Sequence, residues 1–294
     1  MTQHKIIFGD CRNMKELSDG SVHLMVTSPP YYNAPFDFPG LFRNYEDFLQ
    51  LISDAAKEIY RVLATGRIAA VVTDDMLIDG VKYPILADVV TRFLKAGFKY
   101  RDKIIWRKPE GYIRISRRSG VVVQKPYPMY FYPDNIKEEI LLFQKGRFDY
   151  QSITEEVKEN SKIEIGEFLG DKWYLSVWDM TNVLPSQSKD TFAAAFPDAL
   201  ARRLIKLFSF KGETVLDPFL GSGTTTKIAR MLARNSVGYE LDVELLDVIK
   251  ERTKADQFPL GEQDTFEFVI RDDAQRLRTD TRERIRQKIA QRHR

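Results

Sequence analysis

Short apolar segments typical of strands and amphipathic segments typical of helices alternate along most of this chain, which restricts the folds that it can adopt. Residues 67–73 form an almost continuously apolar segment, which is typical of a parallel strand buried on both faces. Residues 45–63 instead carry apolar side chains at helical spacing. Such alternation predicts an α/β fold, in which helices cover both faces of a parallel sheet. We predict strands at 5–8, 22–26, 67–73, 99–106, 138–144, 213–216 and 236–239, and helices at 45–63, 84–96, 197–208, 224–232 and 243–253.

Composition indicates one large soluble domain rather than a membrane protein. The 294 residues are 43% hydrophobic, which is enough for one large core with at most a small appended lobe. No apolar run approaches the roughly 18 residues of a membrane span, and no charged-then-apolar leader opens the chain. The net charge is only +3, so composition alone does not indicate a nucleic-acid-binding protein. We expect a cytoplasmic protein with no membrane partner.

The cysteine and histidine content argues against disulfides and metal ions. Cys11 is the single cysteine, which excludes an intramolecular disulfide framework and a cysteine-rich metal site. His4, His23 and His293 are scattered along the chain, and we interpret them as structural or solvated residues. No metal ion is therefore predicted.

A glycine-rich turn, DPFLGSG at residues 217–223, connects a predicted strand to a predicted helix. Such a turn places backbone N–H groups and the positive end of the helix around a ligand. Gly221 and Gly223 allow close approach and positive φ. Thr224 and Thr225 are predicted to supply capping oxygens to the helix.

Two common nucleotide-binding motifs fit this turn poorly. A P-loop requires a lysine that is absent here, and a dinucleotide fingerprint requires a third glycine where Thr226 stands. Downstream, Glu240 follows the strand at 236–239, where an acidic side chain can accept hydrogen bonds from both hydroxyls of a ribose. The alternative for Glu240 is an exposed loop acid.

A rigid corner, TSPPYY at residues 27–32, directly follows the apolar strand at 22–26. Consecutive prolines fix φ and remove N–H donors, so the carbonyl of Pro29 is held in place. The alternative is a proline-recognition turn, but such turns usually lie in Pro-rich disordered sequence. Because ligands of open α/β sheets bind at the carboxyl ends of strands, we expect one cleft to hold both motifs.

Together the two motifs resemble those of the amino-group DNA methyltransferases, which methylate cytosine N4 or adenine N6. The catalytic motif comes first, which is the order of the beta class. The resemblance spans about residues 5–253. It implies a Rossmann-like S-adenosylmethionine-dependent methyltransferase sheet with permuted motif order and an inserted target-recognition region. The implied divisions are a catalytic part of the core at 1–146, the target-recognition region at 147–189, the cofactor-binding part at 190–260 and a charged C-terminal extension at 261–294.

The resemblance also implies S-adenosylmethionine as cofactor. It places Asp10 near the adenine amino group, Glu240 at the ribose and Asp217 near the methionine portion. A plain strand-end turn is the alternative for Asp10. The family commonly lines the methionine pocket with a Phe-Pro pair, represented here by Phe196 and Pro197. The full predicted cofactor set is Asp10, Phe196, Asp217, Phe219, Gly221, Gly223, Thr224 and Glu240.

The predicted catalytic residues are Ser28, Pro29, Pro30 and Tyr31. An exocyclic amino nitrogen is a poor nucleophile because its lone pair is delocalised into the ring. Acceptors on the Ser28 hydroxyl and the Pro29 carbonyl would take the amino hydrogens, and Tyr31 would stack on a flipped-out base. We expect direct in-line transfer without a covalent enzyme intermediate. The cysteine chemistry of cytosine-C5 methylation is not expected, because no Pro-Cys pair exists in the chain.

Ser28 favours cytosine N4 as the target, since family members with serine at this position are most often cytosine enzymes. Adenine N6 methylation stays open as an alternative, as do methylation of RNA and a non-catalytic DNA-binding scaffold. The resemblance implies the modification half of a restriction–modification system.

Double-stranded DNA is the expected partner, and a homodimer is left open. Basic residues with interspersed aromatic residues occur at 101–118, where they could neutralise phosphates or form a solvated loop. Trp173 and Trp178 are expected in the core rather than as wedges in DNA. The predicted DNA-binding residues are Arg114, Arg117, Arg118, Lys125 and Lys172.

Overall fold

The computed structural model contains one large mixed sheet covered by helices on both faces. It describes residues 1–34, 40–109, 124–129, 133, 135–181, 196–257, 264–277 and 279. The strands of the large sheet are β1 Gln3–Phe8, β2 Val22–Thr27, β3 Leu63–Thr73, β6 Lys99–Arg107, β7 Lys137–Gln144, β8 Val177–Asp179, β9 Thr214–Asp217, β10 Asn235–Glu240 and β11 Thr265–Ile270. Within the described residues they lie in the order β11-β1-β10-β9-β2-β3-β7-β6-β8. A separate hairpin consists of β4, Met76–Ile78, and β5, Val81–Tyr83.

All neighbouring strands of the large sheet are parallel except where β7 runs against β3 and β6. The strands β1, β10, β9 and β2 are therefore consecutive parallel neighbours whose carboxyl ends lie at one edge. The centre of the sheet combines the two halves of the chain, because β2 pairs with β9, which follows it about 190 residues later. The predicted parallel α/β sheet is confirmed, with the antiparallel β7 added.

The helices of the described residues were largely predicted by their apolar spacing. They are α1 Tyr45–Val62, α2 Ile85–Lys95, α3 Glu155–Asn160, α4 Ile165–Gly170, α5 Asp198–Phe208, α6 Thr224–Met231 and α7 Leu246–Thr253. No helix in this part of the chain is both long and apolar enough to cross a membrane.

Successive side chains along each strand point to opposite faces of the sheet, so the strands contribute to two cores, one on each face. Met25 of β2 joins the cluster beneath α1 and α2, whereas Leu24 and Val26 join the cluster beneath α5 and α6. Asn44 directly precedes helix α1, and its side chain accepts a 2.9 Å hydrogen bond from the Asp47 N–H and so caps the first turn. The central strands are thus buried on both faces, as their continuous apolar sequence predicted.

The segments predicted as a target-recognition region and a C-terminal extension both contribute strands to the large sheet. Strand β8 lies within 147–189 and pairs with β6, and β11 lies within 261–294 and pairs with β1 along its length. The boundaries predicted at these positions therefore do not separate whole segments from the core. No strand was predicted from the sequence in either segment.

Helix α5 binds the described part of the region that was predicted for target recognition. Trp173 and Trp178 are almost completely buried, which confirms their predicted core role. The Arg203 guanidinium lies 5.7 and 5.3 Å from the centroids of these two rings. Glu167 accepts hydrogen bonds from Arg202 and Lys206, and these ion pairs add a polar contact to the aromatic one.

Candidate active site

One cavity at the carboxyl edge of the sheet brings the two sequence motifs together. Its volume is about 540 Å³, within the range of small-ligand sites. Residues of the catalytic corner, the glycine-rich turn and the ends of β1 and β10 all line it. Among the predicted site residues, those lining the cavity are Asp10, Ser28, Pro29, Pro30, Tyr31, Phe219, Gly221 and Glu240.

Both glycines of the turn have the positive φ that the sequence predicted. Gly221 and Gly223 have φ of 55° and 90°, in the left-handed region that side chains disfavour. A Cβ on Gly223 would also lie 3.2 Å from Cγ2 of Thr253 on α7. Gly223 therefore lies close to α7, whereas the space beside Gly221 is open.

Glu240 is anchored to this turn by backbone donors. The Gly221 N–H donates a 2.7 Å hydrogen bond to Oε2, and the Asp242 N–H donates a 2.9 Å bond to Oε1. The carboxylate is thereby held at the end of β10 beside the cavity. This strand end is the position at which the sequence predicts an acceptor for ribose hydroxyls.

The predicted capping role of Thr224 and Thr225 is wrong. Helix α6 begins after Gly223 without a side-chain cap. The Thr225 hydroxyl instead donates a 2.6 Å hydrogen bond to Asp217. Among the described residues, the buried Thr224 hydroxyl has no hydrogen-bond partner and does not line the cavity.

Asp217, which was predicted near the methionine portion of the cofactor, does not itself line the cavity. It is buried, and its carboxylate accepts from the hydroxyls of Thr27 and Thr225 and from the Phe219 N–H. Burial raises its pKa to about 6, against these hydrogen bonds, which favour the charged form. Its side chain holds the turn in place from within the protein.

The two predicted phenylalanines lie on opposite faces of the sheet. Phe219 lines the cavity and packs against the core beneath α1. Phe196 is buried in the core beneath α5 and does not line the cavity, contrary to the prediction. The side of the sheet on which a residue lies depends on long-range packing, which the Phe-Pro spacing alone does not determine.

Asp10 lies at the end of β1 and pairs with Arg12. Its carboxylate accepts hydrogen bonds from the backbone N–H and the guanidinium of Arg12. Burial opposes ionisation of Asp10, but the hydrogen bonds and positive charge of Arg12 outweigh it and lower the pKa of the carboxyl. An ionised acceptor therefore faces the cavity at this position.

Tyr31 is held from behind by a buried ion pair that the sequence analysis missed. Its hydroxyl donates a 2.8 Å hydrogen bond to Glu138 on β7, and Glu138 also accepts from the Lys108 ammonium. Lys108 and Glu138 are both almost completely buried. Lys108 belongs to the basic segment 101–118, and its burial rules out a contact with phosphates at this residue. The available signal was a lysine directly after β6 and a glutamate at the start of the apolar strand β7.

Cys11 lines the same cavity but is poorly suited to nucleophilic chemistry. It is buried, and this burial raises the pKa of its thiol far above the ordinary value. A thiol kept protonated is a weak nucleophile. The environment thus agrees with the argument against cysteine-mediated methylation.

The predicted DNA-binding residues are only partly covered by the structure. Arg114, Arg117 and Arg118 lie outside the described residues. Lys125 and Lys172 are exposed. Across the residues that the structure describes, no cluster of histidine, cysteine and acidic side chains could hold a metal ion.

The fold and the cavity together define a class of protein, the Rossmann-like methyltransferases that act on amino groups. The profile of a family described as DNA methylase, comprising N6 and N4 methyltransferases, matches residues 22–251. The chain belongs to this family, and it is an S-adenosylmethionine-dependent DNA methyltransferase, as its two motifs predicted.

Relatives match the chain over most of its length. The type II methyltransferase M.MjaI of Methanocaldococcus jannaschii is 34% identical, covering 92% of this chain and 97% of the relative. M.MthZI of Methanothermobacter thermautotrophicus, also named a type II methyltransferase, is 33% identical over 85% of this chain and 76% of its own.

Solved structures match the fold as well. TTHA0409 of Thermus thermophilus, described as a putative DNA modification methylase and complexed with S-adenosyl-L-methionine, has a TM-score of 0.71 and 30% identity, over 91% of this chain and 98% of its own. The cytosine-N4-specific PvuII DNA methyltransferase has a TM-score of 0.58 at 16% identity, covering 91% and 96% of the two chains. This second similarity concerns the fold alone.

Proposed function

We propose that the protein transfers a methyl group from S-adenosylmethionine to the exocyclic N4 of a cytosine flipped out of duplex DNA. The observation that carries the proposal is the shared cavity, in which the corner at 28–31 faces the same space as Gly221 and Glu240. Two motifs nearly two hundred residues apart thereby meet at the topological centre of the sheet, where ligands of open α/β folds bind.

The cavity residues fit the chemistry of the cofactor. Glu240 offers carboxylate oxygens for ribose hydroxyls, and the ionised Asp10 offers an acceptor for an adenine amino group. Gly221 lines the cavity with backbone and no side chain. When bound, S-adenosylmethionine supplies an electrophilic methyl group on a positively charged sulfur.

The catalytic corner would prepare the amino group for attack. The Ser28 hydroxyl and the Pro29 carbonyl accept its hydrogens, which directs the nitrogen lone pair away from the corner and towards the methyl group. Tyr31 stacks against the extruded base, an interaction typically worth about 1–3 kcal/mol. The protein contributes orientation and electrostatics, and no enzyme side chain becomes covalently bound.

Ser28 supports cytosine rather than adenine as the target, through the family tendency at this position. Adenine N6 methylation is the second candidate, because it presents the same amino group to the same acceptors. The type II names of M.MjaI and M.MthZI support a role in restriction–modification.

A product assay tests the proposal directly. The protein is incubated with mixed-sequence duplex DNA and isotopically labelled S-adenosylmethionine, and the DNA is digested to nucleosides for mass spectrometry. Labelled N4-methylcytosine is expected. Labelled N6-methyladenine would overturn the base assignment but keep the mechanism, and cofactor binding without labelled product would favour a scaffold.

Ser28→Ala tests the role of the corner. Product formation is expected to fall on the order of 10²-fold, as when a single preorganised polar group is removed from an active site. Cofactor affinity is expected to stay unchanged. Ser152→Ala, at an exposed position outside the cavity, provides the matched control.

A further inference from the structure

We propose that Gln275 and Leu277, which follow β11, form the adenine-binding wall of the cofactor cavity. Both residues line the cavity, and both lie beyond residues 22–251, where the family profile matches. The inference rests on the proposed function, since it assigns one end of the same cofactor site.

Strand β11 brings this segment to the edge of the sheet where the cavity opens. It pairs with β1 in parallel from Gln3 to Phe8, so both strands end at the same level. The Arg271 N–H then donates a 2.9 Å hydrogen bond to the Phe8 carbonyl. The chain after β11 is thus directed along the end of β1 rather than into solvent.

Two side chains of the segment after β11 bind the loop that follows β1. The Arg271 guanidinium donates a 2.7 Å hydrogen bond to the Asn13 carbonyl, and Asp273 accepts a 3.2 Å bond from the Asp10 N–H. Gly9 permits this approach, because a Cβ there would lie 2.7 Å from Cδ of Arg271. The segment is therefore packed against the residues that carry the proposed adenine acceptor Asp10.

Backbone hydrogen bonds then place Gln275 next to the ribose end of the cavity. Its N–H donates a 2.8 Å bond to the Leu241 carbonyl, and its carbonyl accepts a 2.9 Å bond from the Val243 N–H. Leu241 immediately follows Glu240, the proposed ribose acceptor. These two backbone hydrogen bonds therefore fix the position of Gln275 relative to Glu240.

The position and chemistry of this wall suit adenine rather than methionine. The wall lies beside β10 and β1, which are two and three strands away from β2 and its catalytic corner. At roughly 4.8 Å per strand, these strands are about 10 and 14 Å from β2. Leu241, Leu245 and Leu277 supply apolar surface for a flat ring. A glutamine amide can both donate to and accept from the edge of adenine.

The test measures S-adenosylmethionine binding without DNA by titration calorimetry. Gln275→Ala and Leu277→Ala are each expected to weaken binding about tenfold. Steady-state kinetics should show a raised KM for S-adenosylmethionine, with kcat at saturating cofactor and KM for DNA unchanged. A merely structural role would lower kcat as well. Arg276→Ala, at an exposed position between the two that does not line the cavity, is the control.

The outcomes separate this inference from the proposed function. If the wild-type protein binds S-adenosylmethionine and both variants bind it equally well, the wall assignment is wrong and the proposed function stands. If the wild-type protein binds no S-adenosylmethionine, the proposed function fails and the wall assignment fails with it.

Discussion

The Thr27 hydroxyl donates a 2.6 Å hydrogen bond to Oδ1 of Asp217, joining residues 190 positions apart in sequence. Thr27 ends β2 immediately before Ser28, and Asp217 ends β9 immediately before Pro218. The backbone pairing of β2 with β9 stops earlier, at Met25 and Leu216. This side-chain bond therefore continues the strand pairing up to the active site and positions the catalytic corner against the glycine-rich turn.

Thr27→Val should lower the free energy of unfolding by about 1–3 kcal/mol, because the buried Asp217 carboxylate loses a donor while the side-chain shape is retained. Urea unfolding measures the change. Thr91→Val replaces an exposed helical threonine and should have a much smaller effect. Equal effects of the two substitutions would contradict a specific role for the Thr27–Asp217 bond.

Asp217→Asn should remove a pH dependence of stability. Burial raises the pKa of Asp217 from 3.8 to about 6, so the folded protein keeps a proton that the unfolded chain releases between these values. The contribution to the free energy of unfolding therefore falls as pH rises from about 4 to about 6, by up to about 3 kcal/mol. The wild-type protein should lose stability relative to the variant across this window. A constant difference between the two proteins would refute the assignment.

His4→Gln should reveal a pH dependence of the opposite sign. His4 is buried between the hydroxyls of Thr2 and Ser236, and burial lowers its pKa from 6.5 to about 4. The unfolded chain binds a proton in this window that the folded protein does not, so stability is complete above about pH 6.5 and is lost towards about pH 4. Relative to the variant, the wild-type protein should lose up to about 3 kcal/mol as pH falls. Thermal unfolding of both proteins across this pH range, at matched ionic strength, measures the difference in stability.

The ion pair behind Tyr31 should behave as a coupled unit. Glu138→Gln removes the carboxylate that pairs with the buried Lys108 ammonium and should cost about 3–5 kcal/mol of stability. Lys108→Met combined with Glu138→Gln removes both charges and should be less destabilising than Glu138→Gln alone. Denaturant unfolding of the single and double variants gives the coupling energy. Additive effects would mean that the two residues act independently.

Glu240→Ala should weaken S-adenosylmethionine binding by at least about tenfold, since the ribose hydroxyls lose their charged acceptor. Titration calorimetry measures the affinity. Glu251→Ala, on the exposed face of α7, is the matched control and should bind the cofactor like the wild-type protein. Unchanged affinity in Glu240→Ala would separate this carboxylate from the cofactor.

Sequence patterns were sufficient to predict the central strands and helices, because these elements depend on residues close together in the chain. Apolar runs and helical spacing predicted the strands and helices that carry the site, and glycines predicted the positive φ angles at 221 and 223. The same patterns did not predict β8 or β11. Short or exposed edge strands lack a continuous apolar run, so they are recognised only by the strand with which each one pairs.

Residue types at fixed spacings are enough to predict the family, the alternating α/β architecture and the two motifs. The roles of individual side chains become visible only in the folded molecule. Asp217 supports the site from within the core, Lys108 lies behind Tyr31, and Gln275 lines the cavity beside Glu240. The physical reason is that burial, ion pairing and cavity lining arise from contacts between segments that are far apart along the chain.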